Sequence, residues 1–131
     1  MIKLKVESGK LKENIAKIKS KKLAIGIIEL YKKLYDSKKE YVLSKQILRS
    51  GTSIGANIVE AECAITNKDF VSKIYIALKE CVETKYWLEL LYETKFITET
   101  EFESYIASCE ELRRILSSTT KTMKEKYGNE K

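Results

Sequence analysis

Apolar residues recur every three or four positions along most of this chain, and that spacing constrains its fold more than any other feature. Proline, which breaks helices, is absent, and only five of the 131 residues are glycine. No segment alternates apolar and polar residues with the period of two that is typical of a β-strand. The sequence therefore predicts an all-α fold.

The apolar pattern divides into four helical segments. The first begins at Leu11 and ends at a polar break around residues 36–39. The second extends from about Glu40 to Ala64, and the third ends near Glu93. Each segment is long enough to bury one apolar face against its neighbours.

Two threonines mark the starts of the third and fourth helices. Thr66 precedes Asp69 by three positions, and Thr98 precedes Glu101 by the same spacing. In such a pair the hydroxyl accepts a hydrogen bond from a backbone amide in the first turn of the helix. An acid at the third position also suits the positive end of the helix dipole.

Short connections between long helices place sequential neighbours side by side in opposite directions. We therefore predict an antiparallel up-down-up-down four-helix bundle over residues 11–127. A short basic extension is expected at residues 1–10 and a flexible tail at residues 128–131. The apolar residues expected on the buried faces are Leu23, Ile27, Leu30, Leu34, Leu43, Ile47, Ile54, Ile58, Phe70, Ile74, Ala77, Leu78, Cys81, Leu88, Leu91, Phe102, Tyr105, Ile106, Cys109, Leu112, Leu116 and Met123.

The composition argues against several classes of protein. Histidine, the commonest general base and metal ligand, is absent, so we expect no enzyme, no catalytic residues, no metal site and no cofactor. Cys63, Cys81 and Cys109 are an odd number without CxxC spacing, which favours buried, reduced thiols. No apolar run approaches the roughly 18 residues of a membrane span, and the N-terminus does not resemble a signal peptide. We therefore expect a cytoplasmic protein with no membrane association.

Positive charge is concentrated in the first third of the chain. Residues 1–45 contain 13 lysines and 5 acidic residues, whereas residues 46–131 contain 12 basic and 14 acidic residues. Such asymmetry indicates a basic surface that attracts polyanions, although lysine-rich faces of helices are often simply solvated. The candidate nucleic-acid-binding residues are Lys21, Lys22, Lys32, Lys33, Lys38, Lys39 and Lys45.

The second helix carries an unusual run of small residues. Gly51 and Gly55 lie four positions apart, so they share one side of the helix. Each interior glycine costs a helix roughly 1 kcal/mol relative to alanine. A requirement for close packing against another helix would offset this cost, and we interpret both glycines as close-packing positions.

A polar stripe runs beside the glycines, formed by Arg49, Ser53, Asn57 and Glu60. Three interpretations are open: a solvated face, a hydrogen-bond network between helices or subunits, and a catalytic or anion-binding stripe. The network is favoured because small residues flank the stripe and allow another helix to approach. Buried polar groups of this kind need partners on another helix or another subunit.

The segment Gln46–Ala61, QILRSGTSIGANIVEA, resembles the four-helix-bundle family of 23S rRNA intervening-sequence proteins. The resemblance continues through Asp69-Phe70, Ala77-Leu78, Glu80, Glu83 and Leu88–Leu91 and spans roughly residues 19–121. It implies a ring-like homopentamer. It also implies kinship to the accessory protein of diversity-generating retroelements, a basic pentamer that binds nucleic acid and a reverse transcriptase.

Ser53, Asn57 and Glu60 match the fixed polar positions of the family motif. The chain departs from the motif elsewhere. Many members have proline at the position of Gly55 and glycine at that of Ala61, with a basic residue soon afterwards, where this chain has Cys63 and Ala64.

Two other clusters have structural and functional interpretations. Glu80 and Glu83 are expected to form surface or interface salt bridges, with Lys79, Lys85 or Arg113 as partners. For the three aromatic residues near the end of the third helix, the favoured interpretation is packing at a contact between helices or subunits. Aromatic residues beside basic groups can also stack nucleobases. These residues are Tyr86, Trp87 and Tyr92.

The sequence thus favours a non-enzymatic, oligomeric scaffold with a basic surface that binds RNA or DNA without sequence specificity. Its expected partners are further copies of itself in a pentamer, nucleic acid, and a reverse transcriptase or other protein. The alternative is an adaptor whose basic face binds an acidic protein, with no direct role for nucleic acid. An enzyme of an uncharacterised type is the third hypothesis.

Overall fold

The computed structural model describes the backbone of residues 2–127 and the side chains of residue 12 and residues 14–126. This part of the chain is entirely helical apart from its connections, and it contains no strand. The helices are α1 (Ile2–Asp36), α2 (Leu43–Ala61), α3 (Asn67–Glu93) and α4 (Glu99–Tyr127).

Each helix packs against two neighbours. α2 lies between α1 and α3, α4 lies between α3 and α1, and α1 and α3 occupy diagonally opposite corners. The fold is the four-helix bundle that the sequence predicts. The backbone of residues 2–10 continues α1, whereas the tail expected at residues 128–131 lies outside the described residues.

The core forms along the apolar faces that periodicity identifies. Ile27, Leu34, Ile54 and Leu112 are among its completely buried residues. Bulkier residues at the margins, including Phe102, are partly buried and pack against this core. Burial of a large aliphatic side chain stabilises the fold by roughly 1.5–3 kcal/mol, so the core supplies the main driving force for association of the helices.

Local capping starts α3 and α4 as the sequence predicts. The Thr66 hydroxyl accepts from the Asp69 amide at 3.0 Å. At α4 the box is reciprocal: Glu101 N donates to Thr98 Oγ1 at 3.2 Å, and Thr98 N donates to Glu101 Oε1 at 3.0 Å. Backbone amide donation from Thr98, followed by the Lys33 ammonium, lowers the pKa of Glu101 despite partial burial.

The start of α2 differs from the sequence prediction. The helix begins at Leu43, not at Glu40, and Glu40 acts as a cap from outside it. The Glu40 carboxylate accepts from the backbone amides of Val42, Leu43 and Ser44 at 3.1, 2.9 and 2.6 Å. Because the first turn of α2 contains no acidic residue, this carboxylate provides the negative charge that favours a helix N-terminus.

The cysteines have two environments. Cys81 and Cys109 are buried between α3 and α4, where Cys81 Sγ donates to the Cys109 carbonyl oxygen at 3.2 Å. Contact with the Cys81 thiol and burial raise the pKa of Cys109, which keeps that thiol protonated. Cys63 is exposed after the end of α2, so the expectation of burial is wrong for this residue.

No helix within the described range is long and apolar enough to cross a membrane.

Candidate functional site

The seven candidate lysines lie on α1, in the α1–α2 connection and in the first turn of α2, and all are exposed. Lys33 forms an ion pair with Glu101 of α4 at 2.9 Å. The other six form no ion pair with any side chain that the structure describes. These six lysines, named here the basic surface, are Lys21, Lys22, Lys32, Lys38, Lys39 and Lys45.

Two other lysines of α1 form ion pairs with residues outside that helix. Lys17 pairs with Glu62 beyond α2 at 3.1 Å, and Lys19 pairs with Glu111 of α4 at 2.7 Å. Helical geometry explains why some lysines form ion pairs and others do not. Residues beside the core reach the adjacent helices, whereas residues on the outward face of α1 do not. The basic surface therefore consists of exposed cations without an ion-pair partner among the described side chains, although Lys19 and, more weakly, the charge of Lys22 lower the pKa of Glu111.

The α1–α2 connection is held in a specific conformation. Lys39 has a positive φ of 57°, a conformation that costs a residue with a β-carbon roughly 1 kcal/mol or more. The chain then turns so that the Glu40 amide donates to the Leu34 carbonyl oxygen at 2.9 Å. Burial acts to raise the pKa of Glu40, but hydrogen bonds from the Leu43, Ser44 and Val42 amides lower it overall.

A cluster of three tyrosines, which is not among the candidate residues from the sequence, lies at the same end of α1. The ring centroids of Tyr31 and Tyr35 are 5.6 Å apart, and those of Tyr35 and Tyr41 are 4.7 Å apart in an edge-to-face arrangement. Tyr35 and Tyr41 keep 37% and 44% of their surfaces exposed. The sequence contains a feature that points to this cluster, because Tyr31, Tyr35 and Tyr41 all lie among the candidate lysines.

The two glycines of α2 both face α1, and they differ in how tightly they pack. A β-carbon on Gly51 would lie 2.8 Å from Cγ2 of Ile27. A β-carbon on Gly55 would lie 3.1 Å from the Ser20 hydroxyl oxygen. The close approach of α1 and α2 therefore depends most strongly on the absence of a side chain at Gly51.

Arg49 lies on the opposite side of α2 and contacts α3. Its guanidinium donates to Glu80 at 3.3 Å and to Glu83 through a second nitrogen. The hydrogen bond to Glu83 is the main cause that raises the pKa of Arg49. Burial and the neighbouring Glu83 raise the pKa of Glu80, although Arg49 opposes this shift.

The other stripe residues do not join Arg49 through their side chains. Ser53 Oγ donates to the Arg49 carbonyl oxygen at 2.6 Å, and Asn57 Nδ2 donates to the Ser53 carbonyl oxygen at 2.8 Å. Glu60 lies 3.9 Å from Lys73 of α3. Within the described chain, the stripe thus contributes one firm contact between helices, made by Arg49.

The prediction of the salt-bridge partners of Glu80 and Glu83 is wrong. Both acids bind Arg49, whereas Lys85 and Arg113 bind Glu110 at 3.0 and 3.1 Å. The hydrogen bonds from Arg113 and then Lys85 lower the pKa of Glu110 to about 2.

Beneath Arg49, two hydroxyls form a polar contact that the sequence does not reveal. Ser50 and Thr84 are completely buried, and their oxygens lie 2.9 Å apart across α2 and α3. Thr84 also lies within hydrogen-bonding distance of the Glu80 carbonyl oxygen, at 2.8 Å.

Two of the three aromatic residues near the end of α3 pack against the core. Trp87 and Tyr92 lie against the core, and the Tyr92 ring stacks on Phe102 with centroids 4.5 Å apart. Tyr86 is exposed and contacts the edge of Trp87. Among the described side chains, no group of three or more cysteine, aspartate and glutamate residues is arranged to hold a metal ion.

Comparison with known proteins assigns this chain to a family. The family model described as 23S rRNA-intervening sequence protein matches residues 12–118. A crystal structure of a protein with unknown function from the S23 ribosomal protein family of Bacteroides thetaiotaomicron VPI-5482 is 53% identical to this chain. The match covers 84% of this chain and 98% of that one, with a TM-score of 0.83. No curated protein matches this chain. The chain belongs to the family of 23S rRNA-intervening sequence proteins.

Proposed function

We propose that this protein is a non-enzymatic, oligomeric scaffold of the cytoplasm whose basic surface binds nucleic acid without sequence specificity. The observation that carries the proposal is the set of six lysines on α1, the α1–α2 connection and the first turn of α2 that lack ion pairs in the described structure. Unpaired lysines bind phosphates as point charges and release counterions when they do so.

The oligomeric part of the proposal rests on family membership and on an exposed apolar strip. Tyr75, Ile76, Val82 and Tyr86 lie on the outward side of α3 and are exposed. An exposed apolar patch of this kind is typical of a surface that another protein covers. A homopentamer is the assembly that the family resemblance implies, and native mass spectrometry tests it directly.

The experiment for nucleic-acid binding is a salt series with a matched control. Affinity for single-stranded and duplex RNA and DNA is measured at several salt concentrations for the wild type and for a triple variant, K32Q with K38Q and K39Q. A control triple variant, K68Q with K79Q and K121Q, removes the same charge from exposed positions on α3 and α4.

We expect affinity to fall steeply as the salt concentration rises. In a plot of log affinity against log salt concentration, each phosphate that the protein neutralises adds about 0.7–0.9 to the magnitude of the slope. The first triple variant should reduce this slope more than the control. Equal effects of the two variants would indicate only the influence of net charge. An absence of binding at low salt would contradict the proposal.

An alternative is an adaptor that binds an acidic protein, and one observation favours it. Ile18 and Ile25 are 68% and 54% exposed on the outward face of α1, and Lys21 and Lys22 lie between them in sequence. A basic face with exposed apolar residues suits an amphipathic acidic helix. A reverse transcriptase, the protein partner that the resemblance implies, is one candidate for a direct binding assay.

A further inference from the structure

The end of the bundle formed by the α1–α2 connection combines exposed aromatic rings with unpaired positive charge. Tyr35 and Tyr41 contact each other in an edge-to-face arrangement, and each keeps more than a third of its surface exposed. Tyr31 also lies against Tyr35, with ring centroids 5.6 Å apart, so a planar ligand can reach the exposed surface of Tyr41 and the part of Tyr35 that neither neighbour covers.

Lysines surround these rings in the sequence and at the same end of the fold. Lys32 lies between Tyr31 and Tyr35, and the connection that follows α1 contains Lys38 and Lys39. Lys45 lies in the first turn of α2. None of these four lysines forms an ion pair with a side chain that the structure describes.

The acidic residues of this segment do not cancel its charge. Residues 31–45 contain five lysines and two acids, Asp36 and Glu40. The Glu40 carboxylate is occupied by three backbone amides at the start of α2. Asp36 is exposed at the last position of α1. Even with Lys33 paired to Glu101, the cluster remains cationic.

The backbone that carries both tyrosines is held in place, and the contact between Tyr35 and Tyr41 restrains their rings. Tyr35 is fixed on α1, and Tyr41 belongs to a connection anchored by the Glu40 carboxylate and by the hydrogen bond from the Glu40 amide to Leu34. A fixed ring loses little conformational entropy when a ligand stacks on it. The site is therefore organised before any ligand binds.

The geometry points to a binding platform for single-stranded nucleic acid, in which bases stack on Tyr35 and Tyr41 while lysines of the connection contact the phosphates. This inference rests on the proposed function and specifies the ligand and the contacts. Stacking is available only to unpaired bases, because the bases of a duplex already stack on one another. The platform thus distinguishes single strands from duplexes, which the lysines alone do not.

The test compares a short oligouridylate with a duplex of the same length for the wild type, Y35A, Y41A and the double variant. Loss of a stacked base reduces affinity about fivefold or more. We expect that loss for the single strand only, with duplex affinity unchanged. Y35F and Y41F retain the rings and should retain single-strand affinity, which separates stacking from hydrogen bonding by the hydroxyl.

A control uses I65A, which removes a side chain that is 95% exposed in the α2–α3 connection, at the opposite end of the bundle. A second readout is photochemical cross-linking of an oligonucleotide that contains 5-iodouridine, with the attached residue mapped to Tyr35 or Tyr41. Circular dichroism and native mass spectrometry confirm that each variant keeps the fold and assembly of the wild type. A parallel series with oligodeoxythymidylate compares DNA with RNA.

The outcomes separate this inference from the proposed function. If the wild type binds with the expected salt dependence but Y35A and Y41A bind single strands as well as it does, the platform is wrong and the proposed function stands. Equal weakening of single-strand and duplex binding would also overturn the platform, because the rings would then merely position lysines. If the wild type binds no nucleic acid, both ideas are wrong.

Discussion

Gly51 packs so closely against Ile27 that a β-carbon at position 51 would lie 2.8 Å from Ile27 Cγ2 and 2.9 Å from Cγ1. Ile27 is completely buried and β-branched, so it has little freedom to move aside. At Gly55 the nearest atom is the hydroxyl oxygen of Ser20, at 3.1 Å. The interface between α1 and α2 thus has one rigid contact and one adaptable contact.

We therefore expect G51A to lower the free energy of unfolding by about 1–2 kcal/mol, because overpacking exceeds the gain in helix propensity. G55A should change it by less than about 0.5 kcal/mol, because the gain in helix propensity offsets the cost of displacing the Ser20 hydroxyl from its hydrogen bond to the Lys17 carbonyl oxygen. Urea denaturation of both variants provides the measurement. Equal stability of the two variants would contradict the packing explanation.

R49Q should destabilise the bundle in a pH-dependent manner. Arg49 binds both Glu80 and Glu83, and its removal leaves two neighbouring carboxylates without their cation. A carboxyl whose pKa is raised in the folded state, as for Glu80, destabilises that state as pH rises above the ordinary carboxyl value. Loss of Arg49 raises this pKa further, so the cost of R49Q grows from acid to neutral pH.

Since Arg49 is half exposed, we expect a cost of about 1 kcal/mol at neutral pH. Urea denaturation at acid and neutral pH measures the difference. R114Q, which removes an exposed arginine of α4, is the matched control. A cost for R49Q that is independent of pH would show that its packing matters more than its charge.

E40Q should weaken the start of α2, and this cost should also grow from acid to neutral pH. The pKa of Glu40 is lowered in the folded state, so its stabilising effect is complete above the ordinary carboxyl value and disappears as pH falls through the lowered one. At neutral pH we expect a loss of about 1 kcal/mol, as for removal of a helix cap.

Hydrogen exchange of the Val42, Leu43 and Ser44 amides reports the local effect of E40Q, and thermal unfolding reports the global effect. E103Q, an exposed substitution on α4, should change neither. If E40Q differs from the wild type as much at strongly acid pH as at neutral pH, the charged cap is not the cause.

K95G should stabilise the α3–α4 connection. Lys95 has a positive φ of 67° just after α3, where the Phe96 amide donates to the Leu91 carbonyl oxygen at 2.8 Å. Glycine adopts this conformation without steric cost, so we expect a gain of up to about 1 kcal/mol. K95A keeps the β-carbon and removes the same charge, and it should give no such gain in thermal unfolding.

Local features of this protein could be read directly from the sequence. The caps at Thr66 and Thr98 depend on a residue only three positions away, and the buried faces follow from the helical period. Family membership was equally accessible because the segment 46–61 carries a specific pattern. The predicted start of α2 at Glu40 is wrong because the apolar pattern does not show that the Glu40 side chain binds the amides that follow it.

Composition and helical periodicity predict the number of helices, their apolar faces and the position of most of the positive charge. The polar contacts become visible only in the packed bundle: Arg49 with Glu80 and Glu83, Ser50 with Thr84, and Tyr35 with Tyr41. Periodicity specifies only which face of a helix is buried. The rotation and relative height of two packed helices depend on the fit of side chains such as Ile27 against Gly51, and that fit arises only when the helices are in contact.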